Sequence, residues 1–250
     1  MTVLTATNTT TARYSVQVAT EGELVRAAQR LRHRVFAGEL GATLHSPVPG
    51  SDVDEFDVHC DHLVITENGS GEVVGTYRML PPGRTDRLYS DTEFHLGALA
   101  PLRDVLVEAG RSCVHPDHRT GAVINLMWAG IARYLHLSGR RWLVGCASVP
   151  VADATAVWHR VQARHLAPPA LRVRPRTPWP ITTGPEPTVT MPPLLKGYLR
   201  LGAWVCGPPA YDPDFGVADL LVLLSLDRID PRYLRHFLAG GQSAGGQSAG

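Results

Sequence analysis

The chain lacks long apolar runs, paired cysteines and any marked excess of charge, and each absence excludes something. Its longest uninterrupted apolar stretch, Leu220–Leu224, falls far short of the roughly 20 residues that a membrane-spanning helix needs. The threonine-rich start, Met1–Ala12, has no apolar core and does not read as a secretory signal. Cys60, Cys113, Cys146 and Cys206 stand far apart with no C-x-x-C spacing. They read as reduced thiols rather than a disulfide framework or zinc site. The histidines form no H-x-x-x-H or H-E-x-x-H pattern, so no metal is expected. A net charge of +1 gives no global pull toward nucleic acid. The expected location is the cytoplasm, with at most a peripheral contact at the inner face of the membrane.

What remains is an ordinary globular composition, 44% hydrophobic and 19% charged over 250 residues, enough to bury a sizeable core. The ends read as flexible tails, 1–12 and 240–250, the latter drawn from a repeated GGQSA pentad. Between them, 13–239 reads as one α/β (α+β) domain with a mixed sheet. Strands are expected at Tyr14–Val18, His62–Thr66, Val73–Leu80, Val105–Val114, Trp142–Ala147, Ala203–Cys206 and Asp219–Leu226. The second and third form a hairpin around Asn68-Gly-Ser-Gly71. Thr20 and Glu23 predict a capping box for a helix through Phe36. Further helices are expected at Ala122–Leu137, Ala154–Arg164, Leu194–Leu201 and Asp230–Leu238. The proline-rich 167–193 segment reads as an extended loop. Arg160, Arg164, Arg172, Arg174, Arg176, Lys196 and Arg200 face only Glu186 in that region. They form either a surface for an acidic carrier or anionic lipid, or a solvated face.

The most informative stretch runs from Glu108 through Gly110-Arg-Ser-Cys-Val-His-Pro116 to Arg119, then Thr120-Gly121 and an apolar helix. A strand feeding a helix with glycine in its first turn presents free backbone amides, which suit a phosphate. Glu108 and Arg111 interrupt the apolar strand. Buried charges need a partner, such as a salt bridge from strand to helix, or a chemical task. In Asp52-Val-Asp-Glu-Phe-Asp57, carboxylates alternate around an aromatic. Such a loop is either solvated or able to bind an amine and accept its proton. Arg78 lies inside a strand-like run, and Arg32, Arg34 and Phe36 close the first helix.

In order, Arg32-His-Arg-Val-Phe36, Asp52-x-Asp-x-Phe-Asp57, Gly75-x-x-Arg78-x-Leu80 and Glu108-x-x-Arg111 resemble the acyl-homoserine-lactone synthases. A closer resemblance is to the ornithine-acyl-carrier-protein N-acyltransferases of the Gcn5-related N-acetyltransferase (GNAT) superfamily. It extends through Tyr89-Ser90, Glu93-Phe94, Trp128-Ala-Gly130, Gly145-Cys-Ala-Ser148, Lys196–Gly202 and Asp212-Pro-Asp-Phe215, covering about Tyr14 to Leu238.

The resemblance implies a central sheet that splays near the Arg111 strand, with a pantetheine arm in the cleft. It implies transfer of a 3-hydroxyacyl group from acyl carrier protein to the amine of L-ornithine, giving lyso-ornithine lipid. No cofactor is then needed beyond the carrier's 4'-phosphopantetheine thioester. Coenzyme A is the less favoured donor, because Val123 replaces the second small residue of the superfamily's Q/R-x-x-G-x-G/A loop. Asp54, Asp57, Glu108 and Arg111 are the expected catalytic groups, with a carboxylate, or water held by one, as base. Arg32, Phe36, Asp52, Arg78 and Ser112 are expected to bind substrate, an arginine taking the acceptor's carboxylate. Cys113, Val114, Arg119 and Gly121 are expected along the phosphopantetheine, with a backbone amide of Ser112–Val114 at the oxyanion. Direct attack is expected, since neighbours such as Cys113 and Ser112 point to opposite strand faces and form no dyad. Trp128, Trp142 and Trp158 are expected in the core. The competing readings are an acyltransferase for another amino acid or amine, a lactone-type signal synthase, and a non-catalytic haemolysin-like lipid-binding protein.

Overall fold

The computed structural model describes residues 9–182 and 189–239. In chain order the strands are β1 (Thr9–Thr10), β2 (Tyr14–Ala19), β3 (Asp61–Glu67), β4 (Val73–Leu80), β5 (Phe94–His95) and β6 (Leu106–Val114). They continue with β7 (Trp142–Pro150), β8 (Arg174–Pro175), β9 (Trp204–Val205), β10 (Ala210–Asp212) and β11 (Val217–Ser225). The α-helices are α1 (Glu23–His33), α2 (Gly121–Leu137), α3 (Ala154–His165), α4 (Pro193–Arg200) and α5 (Pro231–Ala239).

Nine strands form one mixed sheet in the order β1-β2-β3-β4-β6-β7-β11-β10, with β9 also pairing β11. The expected hairpin is β3–β4. Every residue of β4 is buried, so its sequence does not alternate apolar with polar, and Thr76 and Arg78 are buried along with its apolar residues. β4 has helix α1 against it from one side and α2 from the other. The apolar run of β11 lies deep in the sheet, paired with β7 along its full length.

Three details depart from the sequence expectations. Thr9–Thr10, assigned to a tail, pairs with β2 as an edge strand; residues 1–8 and 240–250 lie outside the described residues. Helix α1 has Gly22, not Thr20, at its N-cap and no side-chain cap bond. Glu23 instead accepts from Arg26 and Arg30 along the helix. Within the 167–193 loop, β8 pairs with β5 to make a two-stranded ribbon. Trp158 is buried, while Trp128 meets Tyr198 edge-on and Trp142 stacks on Trp204. Among the described residues no helix is long and apolar enough to cross a membrane.

Candidate active site

Strands β6 and β7 run parallel but pair only through Leu106–Trp142, Val107–Leu143 and Glu108–Val144. Beyond that point they part. Gly145 stands at the fork, where a Cβ would lie 2.2 Å from the Ala109 carbonyl oxygen; a side chain there would prevent so close an approach. On its other edge β6 pairs with β4, where the register slips between Thr76 and Arg78. Arg111 and Ser112 together oppose Tyr77, and Arg111 has φ 51°. This β-bulge puts a non-glycine residue in the left-handed region, an unusual conformation. Residues three apart on a regular strand face opposite sides. The bulge instead brings Arg111 and Glu108 onto one small cavity of about 50 Å³, beside Arg78, Tyr89 and Cys146.

Three arginines and three aspartates interlock next to that cavity. Arg32, wholly buried although it lies on an amphipathic helix, pairs with Asp52 at 2.9 Å and Asp57 at 2.8 Å. It also donates to the Asp52 carbonyl. Arg78 reaches Asp54 at 2.5 Å and Asp57 at 3.7 Å. Arg111 reaches Asp52 and Asp54, each at 3.3 Å. The loop's own amides contribute: Asp54 N–H donates to the Asp57 carboxylate, and Phe56 N–H to that of Asp54. Burial works to raise the Asp54 pKa, but Arg78 and Arg111 overcome it and hold the carboxyl below its ordinary range. His62 stands 3.6 Å from Asp57; burial and Arg32 push its pKa down to about 4, leaving it neutral at physiological pH. With three charges of each sign, the network compensates itself, as buried charge must.

Glu108 makes no bridge from strand to helix. Its carboxylate accepts from Tyr89 N–H at 2.7 Å, Ser90 N–H at 2.8 Å and Ser90 Oγ at 2.5 Å. It thereby fixes the short turn carrying the Tyr89 ring. Burial raises its pKa, and those hydrogen bonds act the other way.

The larger cavity, about 500 Å³, opens in the splay itself. Arg111 and Ser112 of β6 line one side, and Cys146 and Ser148 of β7 the other. Phe36 and Leu40 add apolar surface. Phe36 lies in a single π-helical turn, Arg34–Glu39, that continues α1, and Leu40 caps it; such turns recur at functional sites. The Arg111 guanidinium sits 4.9 Å from the centre of the Tyr89 ring and 5.2 Å from that of Phe215, within cation–π range of both. At the floor, Glu93, Asp212 and Asp219 bring carboxylate oxygens within 4.8 Å of one another.

Of the sequence-predicted residues, Phe36, Arg111 and Ser112 line the large cavity, and Arg78 and Glu108 the small one beside it. Arg32, Asp52, Asp54 and Asp57 form the network behind them. The expected phosphopantetheine residues are more scattered. The Cys113 and Val114 side chains are buried in separate core clusters. Arg119 is held by two 2.6 Å bonds to Glu39 and one to the Val114 carbonyl. Gly121 opens α2, with open space where its Cβ would be. Sequence reasoning gave no chemical role to Glu93, Asp212 and Asp219, which lie on three separate segments and share no local spacing.

The Acetyltransferase (GNAT) domain family model matches residues 31–129, the stretch holding the arginine–aspartate network, the bulge and most of α2. The fold recurs in the AHL synthase LasI, at TM-score 0.55 and 15% identity over 94% of this chain and 98% of that one. It recurs also in FeeM, an N-acyl amino acid synthase from uncultured soil microbes, at TM-score 0.56 and 12% identity over 87% and 94%. The protein therefore has the GNAT-type acyltransferase fold. Two curated relatives are each named L-ornithine N(alpha)-acyltransferase. That of Brucella abortus is 32% identical over 89% of this chain and 88% of its own length. That of Rhodobacter capsulatus is 33% identical over 88% and 93%. The chain belongs to the L-ornithine N(alpha)-acyltransferase family.

Proposed function

We propose that the protein moves a 3-hydroxyacyl group from the phosphopantetheine thioester of acyl carrier protein to the α-amine of L-ornithine, forming lyso-ornithine lipid. The observation that carries this reading is the near full-length similarity to ornithine acyltransferases. The cleft between β6 and β7 supports it, because it offers an arginine, carboxylates and apolar walls in one place. Among the three expected carboxylate-binding arginines, Arg32 is wholly buried and Arg78 faces only the small cavity. Arg111 lines the large one, so the acceptor's carboxylate is assigned to it.

The α-ammonium must lose a proton before its lone pair attacks the thioester carbon. Of the candidate bases, Asp54 and Asp57 are engaged by arginines, and Asp54 is held below its ordinary pKa. A base working near neutrality wants the opposite shift, and Glu108 has it. The small cavity is roomy enough for water, through which Glu108 takes the proton. As the new C–N bond forms, the C–S bond breaks and the carrier leaves as thiol. Beyond Glu108, β6 has no strand partner on its β7 side. That leaves a backbone amide of the Ser112–Val114 segment to meet the developing oxyanion. Direct attack is further supported by the thiols. Burial pushes Cys113 up to about 12 and Cys146 well above its ordinary value, which denies either an available thiolate. Val123, wholly buried in the first turn of α2, supports a donor with one phosphodiester rather than coenzyme A.

The test is incubation with 3-hydroxyacyl carrier protein, or the matching coenzyme A thioester, and a panel of amines. Ornithine-dependent thiol release with an N-acylornithine mass is expected from the carrier-protein donor. Release with a different amine alone overturns the acceptor, and release only from coenzyme A overturns the donor.

A further inference from the structure

The three carboxylates at the floor of the large cavity stand in the opposite condition to those of the arginine–aspartate network. Among the described residues, none of Glu93, Asp212 and Asp219 is ion-paired. Both Glu93 oxygens are buried without a hydrogen-bond partner. Asp219 accepts one bond, from Ser148 Oγ at 2.8 Å. Asp212 spends one oxygen on the amides of Asp214 and Phe215, which shape the turn bearing the Phe215 ring. Buried carboxylates this close repel one another, and the repulsion favours their protonated forms. Burial, with Asp219 and Asp212 adding to it, raises Glu93 well above its usual range, against the weaker opposing pull of the neighbouring Cys146 thiol and Tyr89 hydroxyl. Burial, helped by Asp212 and opposed by Ser148 and by the more distant Arg111, pushes Asp219 up to about 7. A cation arriving from the cavity would replace those protons.

We propose that Glu93, Asp212 and Asp219 form the receptor for the side-chain ammonium of a diamino-acid acceptor, and so select such acceptors over monoamino acids. This rests on the acylation reading above. Two features of the cavity point to an organic cation. Apolar Phe36, Leu40 and Val217 share its lining with the acids, matching an ammonium on a methylene chain. Arg111 lines the same cavity and supplies the opposite charge for a carboxylate at the other end of the same molecule. With Glu108 as base, the reacting amine is assigned to the small-cavity side and not to this cluster. Carboxylates around an amine favour its protonated form, and a protonated amine has no lone pair to attack with. The ammonium bound here is the spectator, and the α-amine is left for the thioester.

The experiment compares ornithine with norvaline, which has the same carbon chain without the terminal ammonium, using 3-hydroxyacyl carrier protein as donor. A charge-assisted hydrogen bond corresponds to roughly 10- to 100-fold in specificity, and the wild type is expected to prefer ornithine by that factor in kcat/KM. In Glu93→Gln, and independently in Asp219→Asn, the preference should collapse to within a few-fold. The ornithine KM should rise, and kcat/KM for norvaline should fall by less than that for ornithine. Calorimetric titration of ornithine into the donor-free proteins should show the same loss of binding, and melting curves report whether each variant is folded. An ornithine preference that survives both substitutions overturns the inference. So does a parallel fall for both amino acids, which would make the cluster structural. Activity abolished by EDTA and restored by magnesium would assign the site to a metal and also overturn it. Wild type that binds ornithine through these carboxylates yet never acylates it would overturn the proposed reaction instead.

Discussion

Two groups of buried charge lie within one cleft, and they differ in how their charge is met. Around Arg32 the protein supplies three arginines for three aspartates, with backbone amides filling in. Around Glu93 no cation among the described residues pairs with the carboxylates, Arg111 acts on Asp219 only at longer range, and one serine hydroxyl and two turn amides donate. A self-compensated network holds its shape whether or not substrate is present, and it fixes the position of Arg111. An uncompensated cluster is complete only when something positive arrives. The contrast distinguishes residues that build the cleft from residues that read what enters it, with Arg111 belonging to both.

The comparison is broken most forcefully by Arg32→Ala, which leaves buried Asp52 and Asp57 with only their longer contacts to Arg111 and Arg78. Removing one partner of a buried pair costs about 3–5 kcal/mol, and a chemical denaturation curve should show that loss. A cost below 1 kcal/mol would mean that the network is not the scaffold described. Next in size is Gly145→Ala, whose Cβ would press on the Ala109 carbonyl. Overpacking of this kind costs about 1–3 kcal/mol, and acyl transfer should fall further than stability does, because the fork sets the cleft.

A smaller effect tests the other cluster through pH. A carboxyl whose folded pKa is raised contributes stability that is fully present below its unfolded pKa and lost as pH rises through the folded one. Asp219, at about 7 in the fold against the ordinary carboxyl range near 4, loses its contribution across that window. The wild-type melting temperature, measured relative to Asp219→Asn, should therefore decline from pH 4 to pH 8. Saturating ornithine should shrink the decline, and a flat difference would count against an uncompensated cluster. Smallest of all is Arg34→Ala, which removes an exposed pair with Glu72 and should shift stability by less than about 0.5 kcal/mol.

Much of this was legible in the chain itself. The β3–β4 hairpin announces itself through Asn68–Gly71, and the long apolar helix was placed within one residue of α2, because both depend on local pattern. Arg78, Glu108 and Arg111 stand out as charges in apolar runs, Asp52, Asp54 and Asp57 as alternating carboxylates in a loop, and Arg32 at the end of the first helix; the arginines and aspartates do meet. Their pairing could not be read. Nothing local says that Glu108 anchors Tyr89 and Ser90 rather than a helix, or that a bulge places Arg111 at positive φ. The capping box failed because Glu23 has two arginines within reach along the helix, leaving Gly22 as cap. The π-helical turn after α1 has no sequence pattern distinct from a helix that simply continues. Glu93, Asp212 and Asp219 were the least legible, because their cluster exists only once the turn before β5 is brought to β10 and β11.

The position of the acyl group on the product bears most directly on the account, since it depends on which amine the cleft leaves free. With 3-hydroxyacyl carrier protein and ornithine, tandem mass spectrometry of the product should find the acyl chain on the α-nitrogen and a free terminal amine. An acyl chain on the terminal nitrogen would contradict the account, because the acidic floor would then be holding the amine that reacts.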